Sequence, residues 1–174
     1  MKYETKLCEI AYRHGTDKCP QIKHPYTPFY YSFLKDKNVK KVLELGVYKG
    51  ASLRMWKEFF PNAQIYGIDI NEDNLITEDR IETFLCDGTN EEELKKALQK
   101  IGTDIDLFID DGSHVYKDQV KTCKALRPLL KDATYIIEDV NRPDTIIRLL
   151  KGFGVVIPKL NNTKRRDDRL LVIK

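Results

Sequence analysis

"KVLELGVYKGASLRMWKEFFPNAQIYGIDI", residues 41–70, decides the fold. A short apolar run stops at Gly46, an amphipathic segment follows, and a second apolar run ends at Asp69. Short apolar runs bounded by glycine and proline read as buried strands, and the amphipathic segment between them as a helix. A strand, a helix and a strand in succession form the unit of a parallel sheet.

The unit repeats along the chain. "IETFLCDG" (81–88) is a third strand, with the helix "NEEELKKALQKI" (90–101) after it. "IDLFIDDG" (105–112) is a fourth, with "QVKTCKALRPLL" (119–130) as its helix, and "TYIIEDV" (134–140) is a fifth, followed by "DTIIRLLKGF" (144–153). "GVVIPKL" (154–160) and "RLLVIK" (169–174) close the sequence as two strands joined by the loop "NNTKRRDD" (161–168). The alternation predicts an α/β fold: a doubly wound, Rossmann-like sheet of seven strands, mostly parallel, with an antiparallel last strand. Upstream, "YETKLCEIAYRHG" (3–15) places Leu7, Ile10 and Ala11 on one helical face and stops at Gly15. "TPFYYSFLKD" (27–36) predicts a helix with Thr27 as N-cap and Pro28 in its first turn. Residues 1–174 are therefore expected to form a single domain, of which 1–37 is a helical N-terminal extension whose polar loop, residues 16–26, closes over the site as a lid.

The composition excludes several classes. With 41% hydrophobic and 33% charged residues the chain is globular, and a net charge of +3 spread along it lacks the basic stripe of a nucleic-acid binder. Cys8, Cys19, Cys86 and Cys123 show no metal-ligand spacing and read as free thiols, and no apolar run approaches a membrane span. The expected location is the cytoplasm, with no nucleic-acid or membrane partner.

In open α/β sheets ligands sit beyond the carboxyl ends of the strands. The first strand ends "ELGVYKGAS", without the GxGxxG needed to bring backbone against a pyrophosphate. Gly46 and Gly50 make a tight turn that suits a nucleoside cofactor carrying no phosphate. Asp69, at the end of the second strand, is where an acidic residue takes ribose hydroxyls. Asp87, ending the third, is placed to reach an adenine amine, and Glu44 lies beside the turn. Taken singly, each has an ordinary alternative: turn glycines, a helix cap at Asp69, an Asx turn at Asp87.

"DDGSH" (111 is its second aspartate's position) ends in the only histidine of the C-terminal half, and "EDV" ends the fifth strand. If these strands are neighbours, Asp111, Glu138 and Asp139 converge. Clustered carboxylates repel unless one is protonated or a cation sits among them, and an all-oxygen set suits Mg²⁺. His114, three residues past Asp111, is a candidate general base. The competing reading makes "DDGSH" a strand-to-helix turn with Ser113 as N-cap and Asp139 a helix cap.

"HGTDK", "PYTPFYY", "LELGVYKGASLRMW", "YGIDI", "IDDGSH" and "IIEDV" together resemble the metal-dependent class I sugar O-methyltransferases of macrolide and aminocoumarin antibiotic pathways and the related cephalosporin hydroxylase-like group. The resemblance implies S-adenosylmethionine and Mg²⁺ as cofactors. It implies Asp111, Glu138 and Asp139 as metal ligands and His114 as base. The cofactor site it implies is Glu44, Gly46, Gly50, Ser52, Asp69 and Asp87, and the acceptor is a sugar or polyol hydroxyl on a small molecule. Members of that group are longer than this chain. Residues 12–31 and the 161–168 loop are left to shape the acceptor pocket, which points to a homo-oligomer whose second copy completes it. Two other functions are compatible with the same residues: a catechol-type O-methyltransferase, and a non-catalytic S-adenosylmethionine-binding subunit.

Overall fold

A computed structural model describes residues 3–174. Eight strands form one sheet in the order β3-β4-β2-β1-β5-β6-β8-β7. They are β1 (Lys41–Leu45), β2 (Gln64–Asp69), β3 (Thr77–Glu78), β4 (Ile81–Leu85), β5 (Leu107–Asp110), β6 (Thr134–Ile137), β7 (Val155–Val156) and β8 (Leu171–Ile173). The five strands β4-β2-β1-β5-β6 are parallel, and β3, β8 and β7 run antiparallel to their neighbours. The fold is the expected one with one strand more. The extra strand, β3, is a two-residue edge strand that folds back on β4, too short to leave a period-two signal in the sequence.

The central strands β1, β2, β5 and β6 are mostly apolar and buried because helices cover both faces. One face carries α1 (Lys6–His14), α2 (Thr27–Leu34) and α3 (Ala51–Phe59), packed through Leu7, Tyr30, Leu53 and Trp56. The other carries α4 (Glu91–Ile101), α5 (Tyr116–Leu126) and α6 (Pro143–Leu149), packed through Leu94, Leu98, Val120 and Ile146. Trp56 is fully buried and meets Tyr30 edge to face with centroids 5.1 Å apart. Truncating such a tryptophan to alanine costs ~3–5 kcal/mol.

Helix ends follow their caps. Thr5 accepts from the Cys8 amide, and Gly15, at φ 72°, ends α1 in the left-handed conformation as its sequence predicts. Thr27 is not the N-cap of α2. Tyr26 takes that place, and the Thr27 hydroxyl is buried against Cys8 Sγ at 3.2 Å. The loop before α2 is built into the protein: Thr16, Lys18, Cys19, His24 and Tyr26 are all buried. Its backbone is fixed by His24 N–H donating to the Asp17 carbonyl at 2.7 Å, and by Tyr26 and Thr27 N–H donating to the Lys18 carbonyl at 3.1 Å. These buried side chains and backbone bonds seat the loop against the rest of the domain. Among the described residues no helix is long and apolar enough to cross a membrane.

Candidate functional site

From β1 the chain steps to β2 and β4 on one side, then returns to β5 and β6 on the other, so the topological switch lies between β1 and β5. A cavity of about 960 Å³ opens there, lined among others by Gly46, Asp69, Asp87, Asp111, His114 and Asp139. Gly46 (φ 94°) passes so close to β5 that a Cβ on it would lie 2.2 Å from the Asp111 carbonyl oxygen. The turn after β1 and the loop after β5 are therefore in backbone contact, which only glycine permits.

Asp69 organises the turn. Its Oδ2 accepts from the amides of Val47 (2.8 Å) and Tyr48 (3.1 Å), and its Oδ1 from the Asn71 amide (2.9 Å) and Asn74 Nδ2 (3.1 Å). Burial opposes ionisation here, but the donors from Asn71, Val47 and Tyr48 outweigh it and hold the carboxyl below the usual range. Asp69 lines the cavity with both oxygens already engaged, so its observed partners are the turn itself. One oxygen of Asp87 is likewise taken, by the amide and hydroxyl of Thr89 at 2.8 Å, the Asx turn that was its alternative reading. Glu44 does not line the cavity. Its carboxylate is buried beneath it, accepting from Ser52 Oγ and Trp56 Nε1 at 2.6 Å each, and it reaches the site only through Ser52, which does line it.

Asp111, His114 and Asp139 come together. His114 Nε2 is 3.5 Å from Asp111 Oδ1 and 3.5 Å from Asp139 Oδ2, and one ligand atom from each of the three lies within 4.8 Å of the others. β5 and β6 are adjacent, as the convergence requires. His114 stands in the loop before α5, whose N-cap is Val115 and not Ser113. Asp139 adopts φ 52°, a conformation that is costly for a non-glycine residue and turns its carboxylate back to the cavity. The hydroxyl of Tyr26 donates to Asp139 Oδ1 at 2.5 Å.

Glu138 departs from the expected carboxylate triad. β6 ends at Ile137 and the chain turns at Asp139 (φ 52°), so the two neighbouring carboxylates diverge. Glu138 points inward, accepting from Lys18 Nζ (2.7 Å) and the Tyr30 hydroxyl (2.5 Å). Lys18, 1% exposed, also donates to Asp111 Oδ2 at 2.5 Å and stands 3.4 Å from Glu44 Oε1. Burial pushes Glu138 and Asp139 upward. For Asp111 the Lys18 charge outweighs burial and lowers it. His114 is raised, chiefly by its hydrogen bond to Asp111 and then by the Asp139 charge. Beneath them Asp110, fully enclosed, is pushed up to about 7 by burial. Sequence reading placed Lys18 among polar loop residues. Nothing in a single lysine between Asp17 and Cys19 signals that it is buried against acids more than ninety positions away.

Fold and site together define a methyltransferase-type cavity, and the comparisons agree. Residues 43–139 match the family described as "Methyltransferase domain", and the chain belongs to that family. It is 39% identical over 144 residues to the mycinamicin VI 2''-O-methyltransferase of Micromonospora griseorubida, a match covering 77% of this chain and 36% of that one. It is 35% identical over 145 residues to the 8-demethyl-8-alpha-L-rhamnosyl tetracenomycin-C 2'-O-methyltransferase of Streptomyces olivaceus, covering 77% and 37%. Among solved structures, the MycE methyltransferase of the mycinamycin biosynthetic pathway, in complex with Mg, SAH and mycinamycin VI, superposes with a TM-score of 0.79 at 28% identity over 98% of this chain and 54% of that one. The chain thus spans little more than a third of the length of these curated relatives.

Proposed function

We propose that this protein is an S-adenosylmethionine- and Mg²⁺-dependent O-methyltransferase acting on a hydroxyl of a sugar or glycosylated small molecule. The observation that carries the reading is the meeting of Asp111, His114 and Asp139 at the glycine turn's edge of one cavity. The donor set fits a divalent cation. Glu44, Asp111 and Glu138 gather around a single ammonium, Lys18, and Asp139 stands beyond them at His114, leaving an excess of buried negative charge that burial alone penalises. Asp111 and Asp139 would hold the ion, with oxygen ligands that suit a hard cation. Glu138 instead holds Lys18, and through it fixes Asp111.

When bound, S-adenosylmethionine supplies an electrophilic methyl group and the ion a lowered hydroxyl pKa. The residues of the chain do the rest. Gly46 lets the turn approach the ligand closely, Asp69 keeps that turn in shape, and Ser52, seated on Glu44, sits on the cavity wall. His114, 44% exposed, is reachable by an acceptor, and its Nε2 takes the hydroxyl proton as the oxygen is methylated. The tyrosine hydroxyls at Asp139 and Glu138 keep each carboxylate in one orientation. The sugar O-methyltransferase relatives support the acceptor class. Tyr48 and Ile70, both 69% exposed on the cavity rim, support a homo-oligomer whose second copy covers them. Four buried free cysteines support a reducing, cytoplasmic setting.

Calorimetry tests the site. S-adenosylhomocysteine and Mn²⁺ should each bind the wild type, and D111N/D139N should lose Mn²⁺ while retaining S-adenosylhomocysteine. Binding of NAD(H) in place of S-adenosylhomocysteine would defeat the reading.

A further inference from the structure

The net charge of +3 reads as spread along the chain, but one stretch accounts for it. Between Lys159 and Arg169 lie five basic residues and two acids, a surplus of three that equals the surplus of the whole chain. Folding sharpens that surplus. Asp168 is buried, and its carboxylate is spent within the protein: Oδ2 accepts from the Lys164 and Arg165 amides at 2.6 and 2.7 Å, and Oδ1 lies 2.7 Å from His24 Nδ1. Lys159, Lys164, Arg165, Arg166 and Arg169 are all exposed, and among the described residues none of them forms an ion pair.

Lone surface cations are ordinary, but two of these border a concavity. Arg165, Arg169 and Thr163 line a space of about 410 Å³, within the range of small-ligand sites, and Asp144 is the one acid of its lining outside the loop. The space lies at the ligand edge of the sheet. β8 runs antiparallel to β6 and pairs Leu171 with Ile137, so the loop leading into β8 emerges where β6 ends. The Val140 amide donates to the Arg169 carbonyl at 3.2 Å. Asp168, also in the lining, touches His24, whose Nε2 is 3.5 Å from Asp139 Oδ1. One imidazole ring thus separates the concavity's lining from a carboxylate of the ion site, a gap that a sugar ring with its substituent spans. We propose that this concavity takes the phosphate of a phosphorylated sugar whose hydroxyl is the methyl acceptor. The inference rests on the O-methyltransferase reading and names its substrate class. Guanidinium forks match phosphate oxygens, and the Thr163 hydroxyl adds a donor. A neutral glycoside leaves both guanidinium groups without a partner.

Calorimetry on the full chain, loaded with S-adenosylhomocysteine and Mg²⁺, compares L-rhamnose 1-phosphate with methyl α-L-rhamnopyranoside. The phosphate should bind the wild type at least about tenfold more tightly, the scale of charge-assisted hydrogen bonds. R165Q/R169Q should bring the two ligands within about threefold of each other while leaving the neutral glycoside and S-adenosylhomocysteine bound as in the wild type. Retention of S-adenosylhomocysteine also reports that the variant is folded. A preference that survives in R165Q/R169Q would mean that the Mg²⁺ ion and not the loop holds the phosphate, and would overturn the proposal. Equal binding of the two ligands by the wild type would overturn it without any variant, with the methyltransferase reading intact. Failure of the wild type to bind S-adenosylhomocysteine would overturn both.

Discussion

Lys18 Nζ lies 2.5 Å from Asp111 Oδ2, 93 positions along the chain, and 2.7 Å from Glu138 Oε2. One buried cation thereby ties the N-terminal loop to the ends of β5 and β6 and leaves the other oxygen of Asp111 turned toward His114. The N-terminal segment is part of the site's electrostatics.

Removing that cation should be expensive. K18M strands buried carboxylates and is expected to cost ~3–5 kcal/mol in urea unfolding. K18M/E138Q, which also removes the Glu138 charge, should recover at least half of the loss. Equal instability of the single and double variants would show that Lys18 contributes packing and not charge.

Gly46 couples the cofactor turn to Asp111. G46A places a Cβ against the Asp111 backbone in a left-handed conformation, so it should cost about 2 kcal/mol or more and weaken Mn²⁺ binding together with cofactor binding. Calorimetry on G46A showing one ligand lost and the other untouched would break the coupling.

Asp69 makes a prediction about pH. Its folded-state pKa is depressed, so its contribution to stability is present above the ordinary carboxyl range near pH ~4 and is lost as pH falls through the folded value. D69A should be less stable than wild type by about 1–3 kcal/mol at pH 7, a deficit that narrows below about pH 4. A deficit that stays constant down to pH 3 would mean the turn does not depend on the ionised carboxylate.

Much of this was legible in the sequence, for identifiable reasons. The parallel core could be read because continuous apolar runs ending in Gly46, Asp69, Asp87 and Asp111 recur at helix-length intervals. The pairing of Asp111 with Asp139 followed from their strand ends alone. Three things were not legible. Glu138 was grouped with its neighbour because sequence adjacency conceals the turn at Asp139 that separates the two carboxylates. Glu44 was placed in the cofactor set, whereas it lies beneath the cavity wall, bound to Ser52 and Trp56. The loop around Lys18 was read as a polar lid, and nothing local announces the long-range ion pairs that bury Lys18.

The histidine also titrates in a defined direction. Its hydrogen bond to Asp111, and then the Asp139 charge, favour the imidazolium, so in the ion-free protein the His114 resonance should titrate above the ordinary value of ~6.5. A divalent ion between the same carboxylates opposes the imidazolium and should move that titration down. No movement on adding Mg²⁺ would place the ion elsewhere.

Transfer of a labelled methyl group from S-adenosylmethionine to rhamnoside acceptors, measured with Mg²⁺ and with excess chelator, tests the central claim most directly. The expected result is label on an acceptor oxygen in Mg²⁺, none in chelator, restoration on adding Mg²⁺ back, and a loss of about 10²–10⁴-fold in H114A. Full transfer in chelator, or undiminished turnover by H114A, would contradict it.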